Sequence, residues 1–297
     1  MWTVADIPEM TGKTVIVTGS NSGIGFETAK VMAEKGAEVV MACRNTDKGE
    51  AAAAEIRKEN EKSNVQVMKL DLASLESVRE FAEKFNKSFK KLDILINNAG
   101  VMVPPTRQET ADGFELQFGT NHLGHFALTG LLLDKIMATP GSRIVNVSST
   151  AHKIGRIDFT NLNSEKRYRK WAAYGASKVA NLMFTYELQR KLDASGKGTI
   201  VTAAHPGWTA TDLQRHTASA SFMNHIVAMK PPQGVLPTLM AATIPLEKGG
   251  SFYGPDGLFE MRGYPKQVTS TPHSRNELIA KRLWEISEDA TGVKYSL

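Results

Sequence analysis

The fold of this chain can be predicted from one stretch near its start, Thr14-Val15-Ile16-Val17-Thr18-Gly19-Ser20-Asn21-Ser22-Gly23-Ile24-Gly25. Its first residues form a β-branched apolar run, which predicts a buried strand. After the glycines, residues at helical spacing predict a helix that ends at Gly36; they are Ile24, Thr28, Val31 and Met32. The stretch is therefore predicted to form a strand, a glycine-rich turn and a helix.

This order of elements favours a dinucleotide-binding turn over a purely structural one. Glycines let the backbone approach a pyrophosphate closely, and a helix N-terminus offers it free N–H groups and a partial positive charge. The candidate cofactor-binding residues here are Gly19, Ser22, Gly23, Ile24 and Gly25. A nucleoside-triphosphate loop is excluded, because Gly12-Lys13-Thr14 imitates the end of one but Ile7 stands where its first glycine belongs, and the strand comes afterwards.

The rest of the chain continues the alternation of strands and helices. Further strands are predicted at 38–42, 65–70, 94–96, 143–147, 199–203 and 250–253, with long helices at 111–138 and 172–192 and a closing helix at 273–287. Such alternation implies an α/β fold, a Rossmann-type doubly wound parallel sheet, in one domain covering residues 1–297. Ligands bind such sheets across the carboxyl ends of the strands.

The residues after the second strand bear on the choice of cofactor. An acidic residue there would accept the 2′-hydroxyl of NAD, whereas Arg44, followed by Asn45, would pair with a 2′-phosphate. We therefore expect NADP in preference to NAD. After the third strand, Asp71 followed by Leu72 could accept the adenine amino group, and Asp71 could equally begin the next helix.

Other candidate residues also follow predicted strands, so they should meet at the same edge of the sheet. Asn97-Asn98-Ala99-Gly100 can brace the glycine loop and let a cofactor ribose lie close. Ser148-Ser149-Thr150 follows the fifth strand, and His205-Pro206-Gly207-Trp208-Thr209-Ala210-Thr211 follows the sixth.

The sequence Tyr174-Gly175-Ala176-Ser177-Lys178 opens a predicted amphipathic helix. Tyr174 and Lys178 are four residues apart and share one face. A nearby cation favours the phenolate, so Lys178 is expected to lower the pKa of Tyr174 towards the range in which proton transfer is effective. The alternative is a tyrosine and a lysine that simply face solvent.

Composition narrows the class of protein. The chain has 297 residues, 41% of them hydrophobic, a formal charge of +5 and a single cysteine, Cys43. We expect a cytoplasmic protein without a membrane anchor, since no leader or apolar run of about 20 residues is present. The basic cluster 166–170 is interpreted as a solvated segment rather than a nucleic-acid site. No metal is expected, because His122 and His125 lack a third ligand at suitable spacing.

Together these motifs resemble the short-chain dehydrogenase/reductase family over roughly residues 12–260. The features that carry the resemblance are Thr18-Gly19-x-x-x-Gly23-x-Gly25, Asn97-Asn98-Ala99-Gly100, Asn121, Ser149, Tyr174-x-x-x-Lys178 and Pro206-Gly207. The long insert between Ser149 and Tyr174, together with Cys43-Arg44-Asn45 and Ser148-Ser149-Thr150-Ala151-His152, is most similar to the retinol-dehydrogenase-like branch.

The resemblance implies roles for individual residues. Tyr174 would be the general acid or base, and Lys178 would lower its pKa and hold the nicotinamide ribose. Ser149, in preference to Ser148, would hydrogen-bond the substrate oxygen. Asn121 would hold a water that links Lys178 to solvent. Pro206 and Thr209 would place the carboxamide of the cofactor, and Thr211 would reach its phosphates. A homodimer or homotetramer is also implied.

The expected function is an NADP-dependent oxidoreductase that interconverts a ketone or aldehyde and an alcohol. The variable segments 101–105, 151–171 and 208–232 should roof the pocket, and their apolar residues suggest a small apolar substrate. One alternative is an NADP-binding sensor or interaction protein without turnover. A sugar-nucleotide epimerase is disfavoured by the glycine spacing.

Overall fold

A computed structural model describes residues 1–209 and 229–297 of the chain. Eight strands lie in this part: β1 (Thr14–Thr18), β2 (Glu38–Cys43), β3 (Asn64–Lys69), β4 (Ile94–Asn97), β5 (Arg143–Val147), β6 (Ile200–Ala204), β7 (Phe252–Pro255) and β8 (Pro265–Val268). They form one sheet in the order β3-β2-β1-β4-β5-β6-β7-β8. Neighbouring strands are parallel except β7 and β8, which are antiparallel. The predicted Rossmann-type doubly wound sheet is confirmed.

Strand β1 lies near the middle of the sheet and is buried along its whole length. Val15 pairs with Val39 of β2 on one side and with Ile94 of β4 on the other. Side chains alternate between the two faces, so Val15 packs into one apolar layer and Ile16 into the other. A strand buried on both faces needs a continuous apolar run, which is why Val15-Ile16-Val17 could be recognised in the sequence as a buried strand.

The main helices are α1 (Gly23–Glu34), α2 (Thr46–Glu59), α3 (Leu75–Ser88), α4 (Gly124–Met137), α5 (Lys170–Ala194), α6 (Leu236–Thr243) and α7 (Glu277–Thr291). Helices α1, α2 and α6 cover one face of the sheet. Helices α3, α4, α5 and α7 cover the other. Helices α1 to α6 bury apolar side chains against the sheet, whereas α7 packs on α4 and α5.

The structure differs from the sequence prediction in the helix expected at 111–138. A single turn, Leu116–Phe118, leads into a π-helical segment, Gly119–Leu123, and only then into α4. Asn121 lies at the centre of the π-helical segment. A π-helical segment often marks a functional position, and this one determines where the Asn121 side chain points.

The C-terminal elements were predicted less accurately. The last expected strand, 250–253, is β7, and the closing helix starts later than predicted, after a 3-10 turn at His273–Arg275. Strand β8 was not predicted, because it starts at a proline and exposes Lys266 and Gln267 at the edge of the sheet. Thr211 and most of the segment 208–232 lie outside the described residues. Across residues 1–209 and 229–297, no helix combines the length and the apolar character needed to cross a membrane.

Candidate active site

A cavity of about 1150 Å³ lies at the carboxyl ends of the central strands. It brings most of the predicted site residues together: Gly19, Ser22, Gly23, Ile24, Gly25, Arg44, Asn45, Asn98, Ala99, Gly100, Ser149, Tyr174, Lys178, Pro206 and Thr209. Asp71, Leu72 and Asn121 do not line it. The convergence follows from the topology, since parallel strands end at the same edge of the sheet.

The glycine-rich loop forms the floor of this cavity. Gly19 and Gly23 adopt φ values of 66° and 57°, a region that favours glycine. A Cβ atom on Gly25 would lie 2.3 Å from the carbonyl oxygen of Gly19, so the close packing of turn and helix requires glycine there. Ser22 makes no capping hydrogen bond from its side chain, and the first turn of α1 has no acidic residue. The first turn of α1 therefore has the features of a helix N-terminus that can bind an anion.

Asn98 braces the glycine loop, as the sequence predicted. Its Nδ2 atom donates to the carbonyl oxygen of Thr18 at 2.8 Å. The backbone N–H groups of Asn98 and Ala99 donate to the Thr18 hydroxyl, each at 2.9 Å. The ends of β1 and β4 are thus fixed to each other beside the cavity.

Basic side chains line the far end of the cavity. Arg44 is exposed there and forms no ion pair with any residue in the described part of the chain. Lys48 lines the same wall and was missed in the sequence analysis. The side chain of Asn45 accepts a hydrogen bond from the backbone N–H of Lys48 at 2.9 Å and so caps α2. The sequence could have revealed Lys48, because an N-cap Asn such as Asn45 accepts a hydrogen bond from the third residue of the helix, which is Lys48.

Asp71 and Leu72 do not line this cavity, and their expected part in binding the cofactor stays a prediction. The carboxylate of Asp71 accepts a hydrogen bond from the backbone N–H of Ala73 at 3.0 Å, so it shapes the turn before α3. Leu72 is buried, and its carbonyl oxygen would be 2.4 Å from a Cβ on Gly124. Asp71 does not begin the helix either, because Ser74 caps α3.

Ser149, Tyr174 and Lys178 lie together on the wall of the cavity. The Ser149 side chain is close enough to Tyr174 to lower the pKa of its hydroxyl, and the Lys178 Nζ atom is 5.8 Å from the centroid of the Tyr174 ring. Lys178 also donates to the carbonyl oxygen of Val147 at 3.1 Å. Ser148 points elsewhere: its hydroxyl donates to the Lys178 carbonyl oxygen at 2.8 Å. Of the two serines, Ser149 is the one whose side chain acts on the pKa of Tyr174.

Burial dominates the electrostatics of this group and reverses one expectation. Burial raises the pKa of Tyr174 to about 12, and the nearby Ser149 side chain only partly opposes that rise. Burial lowers the pKa of Lys178 to about 8. The sequence analysis expected Lys178 to lower the pKa of Tyr174. That expectation was wrong for this structure, because helical spacing does not reveal how completely the two side chains are removed from water.

Asn121 lies behind the cavity wall rather than in it. Its Nδ2 atom donates to the Val101 carbonyl oxygen at 3.0 Å and to the Ser177 hydroxyl at 2.9 Å, while its Oδ1 atom accepts from the Val101 N–H at 2.8 Å. A Cβ on Gly100 would be 3.1 Å from that Oδ1 atom and 3.6 Å from Lys178 Nζ. Gly100 therefore allows the loop after β4 to pass between Asn121 and Lys178.

The loop after β6 closes the remaining side. Gly207 has a φ of 64°, and the Thr209 hydroxyl donates to the Pro206 carbonyl oxygen at 2.7 Å. His205 follows β6 as expected, and its Nε2 atom is 3.0 Å from a Glu260 carboxylate oxygen. Glu260 also pairs with Lys153 at 3.2 Å, and these contacts lower its pKa to about 2. Sequence reasoning missed Glu260, which comes from a distant loop.

Apolar side chains surround the Ser149 and Tyr174 hydroxyls. Met102, Ile154, Trp171 and Trp208 line the cavity, and the Trp171 ring lies edge-on to Tyr174 with centroids 6.3 Å apart. They come from the three variable segments that the sequence placed over the pocket. Among residues 1–209 and 229–297, no group of three His, Cys, Asp or Glu side chains is arranged to hold a metal ion.

Comparison with known proteins identifies the class. Residues 13–221 match the family model described as short chain dehydrogenase. The chain belongs to the short-chain dehydrogenase/reductase family and is an NAD(P)-dependent oxidoreductase acting on CH–OH donors.

Its relatives lie in the retinol-dehydrogenase-like branch, as the sequence predicted. Human retinol dehydrogenase 11 is 44% identical over 288 residues, which cover 96% of this chain and 87% of that protein. Human retinol dehydrogenase 13 is 45% identical over 295 residues, covering 95% and 86%.

Solved structures show the same fold. An uncharacterized protein from Mycobacterium paratuberculosis has a TM-score of 0.85 and 43% identity, covering 100% of this chain and 99% of that one. A candidate NAD(P)-dependent gluconate 5-dehydrogenase from Beutenbergia cavernae, solved with bound NADP at low occupancy, has a TM-score of 0.62 and 26% identity, covering 79% and 91%.

Proposed function

We propose that this protein uses NADP to interconvert a small apolar ketone or aldehyde and the corresponding alcohol, with Tyr174 as general acid or base. One observation carries the proposal: Ser149, Tyr174 and the buried Lys178 line the same cavity as the glycine loop. Proton transfer and cofactor binding can therefore occur in one space.

The residues present fit a nicotinamide dinucleotide. The free N-terminus of α1, together with Gly19 and Gly23, suits the pyrophosphate. Arg44 and Lys48 suit a 2′-phosphate at the adenosine end, which favours NADP over NAD. Pro206 and Thr209 lie where the nicotinamide end would be held. When bound, the cofactor supplies or accepts the hydride.

Tyr174 would supply the proton. With a pKa of about 12, the phenol keeps its proton at neutral pH, so it can donate to a carbonyl oxygen. Ser149 would donate a second hydrogen bond to that oxygen. Lys178, with a pKa of about 8, is mainly protonated at neutral pH and would hold the cofactor ribose beside Tyr174.

The substrate class is inferred from the wall opposite the glycine loop. Met102, Ile154, Trp171 and Trp208 offer apolar and aromatic surface around a few hydroxyl groups. That pattern suits an apolar molecule with one carbonyl or hydroxyl oxygen. The names of the relatives support an alcohol or aldehyde of this kind.

The test is NADPH consumption with aliphatic, aromatic, steroid and retinoid carbonyls, with NADH in parallel. Tyr174→Phe should lower turnover by a factor of about 10² to 10⁴, since it removes the proton donor and little else. NADPH binding without turnover of any carbonyl would favour the sensor alternative, and failure to bind either nucleotide would reject the proposal.

Two expectations need measurements of their own. Self-association as a dimer or tetramer can be tested by light scattering of the purified protein. A cytoplasmic location can be tested by cell fractionation with an antibody to the chain.

A further inference from the structure

We propose that His125 is a positioning residue that ties Thr18, at the end of β1, to the backbone of Asn121 and so fixes the loop after β4 relative to Gly19 and Lys178. Its ring is buried in α4, with Nε2 2.9 Å from the Thr18 hydroxyl and Nδ1 3.0 Å from the Asn121 carbonyl oxygen. The inference rests on the proposed function, in which both ends of this connection serve the site.

The chemistry of the partners gives each hydrogen bond a direction. The Asn121 carbonyl oxygen can only accept, so Nδ1 of His125 must carry the proton. Burial lowers the pKa of His125 to about 4, so the ring is neutral at pH 7. Its Nε2 atom then has a free lone pair and accepts the proton of the Thr18 hydroxyl.

The oxygen of that same hydroxyl accepts the N–H groups of Asn98 and Ala99, each at 2.9 Å. A second acceptor for its single proton, the Ile96 carbonyl oxygen, is farther away at 3.4 Å. The bonds therefore form a chain from the Asn98 and Ala99 amides through Thr18 and His125 to Asn121. Each member can be satisfied in only one orientation.

The two ends of this series of hydrogen bonds hold the loop after β4 at two separate points. Thr18 holds it at Asn98 and Ala99, and the Asn121 side chain holds it at Val101. Gly100 lies between these anchors, lines the cavity and passes close to Lys178. His125 joins the two anchors, so it sets the position of the loop relative to both Gly19 and Lys178.

His122 provides a matched control within the same helical region. It is also fully buried, and its Nε2 atom is 2.9 Å from the hydroxyl of Ser287 in α7, on the side away from the loop. Substituting either histidine should lower stability. Only His125 should affect the loop after β4.

The experiment compares His125→Asn, His125→Gln, Thr18→Val and His122→Asn in the full chain. Asparagine can replace the Nδ1 donor but is too short to reach Thr18, whereas the glutamine amide can reach the position of Nε2. Amide hydrogen exchange of the nucleotide-free protein is measured first. In His125→Asn and Thr18→Val, the Asn98 and Ala99 amides should exchange at least about 10-fold faster than in wild type. In His125→Gln and His122→Asn they should stay near wild type.

NADPH affinity, measured by fluorescence titration without substrate, is the second readout. His125→Asn and Thr18→Val should each weaken it by about 10-fold, and the double variant by no more than the worse single one, since both break one connection. Equal exchange in His125→Asn and His122→Asn, or additive losses in the double variant, would overturn the inference. A wild-type protein that failed to bind NADPH would instead count against the proposed function, and the exchange data would still decide the role of His125.

Discussion

Replacing Gly25 with alanine tests the glycine-rich loop, because the structure shows what the added methyl group would meet. Its Cβ would lie 2.3 Å from the Gly19 carbonyl oxygen and 2.5 Å from Asn98 Nδ2. Ordinary contact begins at about 3.5 Å, so both atoms would have to move by about 1 Å. Neither is free to do so: the Gly19 N–H donates to the Ala42 carbonyl oxygen at 2.8 Å, and Asn98 Nδ2 donates to Thr18 at 2.8 Å.

The expected cost follows from that overlap. Overpacking of this kind costs about 1–3 kcal/mol, which lowers the melting temperature of a domain of this size by a few degrees. Moving the turn by about 1 Å also displaces the N-terminus of α1 from an anion in the cavity. NADPH affinity should fall by at least about 10-fold, equivalent to about 1.4 kcal/mol.

Thermal unfolding and NADPH titration measure the two effects separately. Gly198→Ala is the control, since nothing lies within 4 Å of a Cβ at that position. It should leave the free energy of unfolding within about 0.5 kcal/mol of wild type and NADPH affinity unchanged. If Gly25→Ala melted and bound NADPH like the control, the assigned packing of the loop would be refuted.

Three further substitutions test the wall of the cavity, and Ser148→Ala serves as the comparison for one of them. Arg44→Asp should weaken NADPH binding by at least about 10-fold with little change for NADH, because it replaces a partner of the 2′-phosphate with a like charge; equal losses in the two titrations would contradict that role. Ser149→Ala should lower kcat/KM by a factor of about 10² to 10³, whereas Ser148→Ala should mainly lower the melting temperature, and the opposite pattern would exchange their roles. Lys178→Met should abolish turnover yet stabilise the protein at pH 7. The folded-state pKa of Lys178, about 8, lies below the ordinary 10.5, so folding disfavours the charged form by up to about 3 kcal/mol. The penalty is full below pH 8 and disappears as the pH rises to 10.5, so the advantage of the variant in unfolding experiments should shrink over that range; an advantage that grew with pH would be inconsistent with a desolvated ammonium.

The sheet was predictable because its central strands are buried on both faces. The interior of such a run is apolar, as in Val15-Ile16-Val17, and β1, β4 and β5 lead into Gly19, Asn98 and Ser148-Ser149, which line the cavity. Most site residues therefore met as expected. Strand β8 escaped prediction because an edge strand can be polar and can begin with proline.

The π-helical segment at Gly119–Leu123 could not have been predicted from periodicity. It adds no residue pattern that differs from an α-helix, yet it turns Asn121 towards Val101 and Ser177. The identity of His125 as the partner of Thr18 was equally hidden, since the two are 107 residues apart in the sequence. Such contacts arise from the crossover between strands rather than from local spacing.

The reversed pKa of Tyr174 is consistent with a proton donor once burial is taken into account. Spacing placed Lys178 beside Tyr174, but dehydration raises the pKa of the phenol and lowers that of the ammonium. At neutral pH Tyr174 therefore keeps its proton, and Lys178 loses its proton more readily than a lysine in water does. Charge develops on the phenol oxygen only as its proton leaves. The Ser149 hydroxyl and the Lys178 ammonium are then already in place, in surroundings where water screens them little. In the proposed reaction their stabilisation would therefore be larger in the transition state than in the resting state, which is the condition for catalysis.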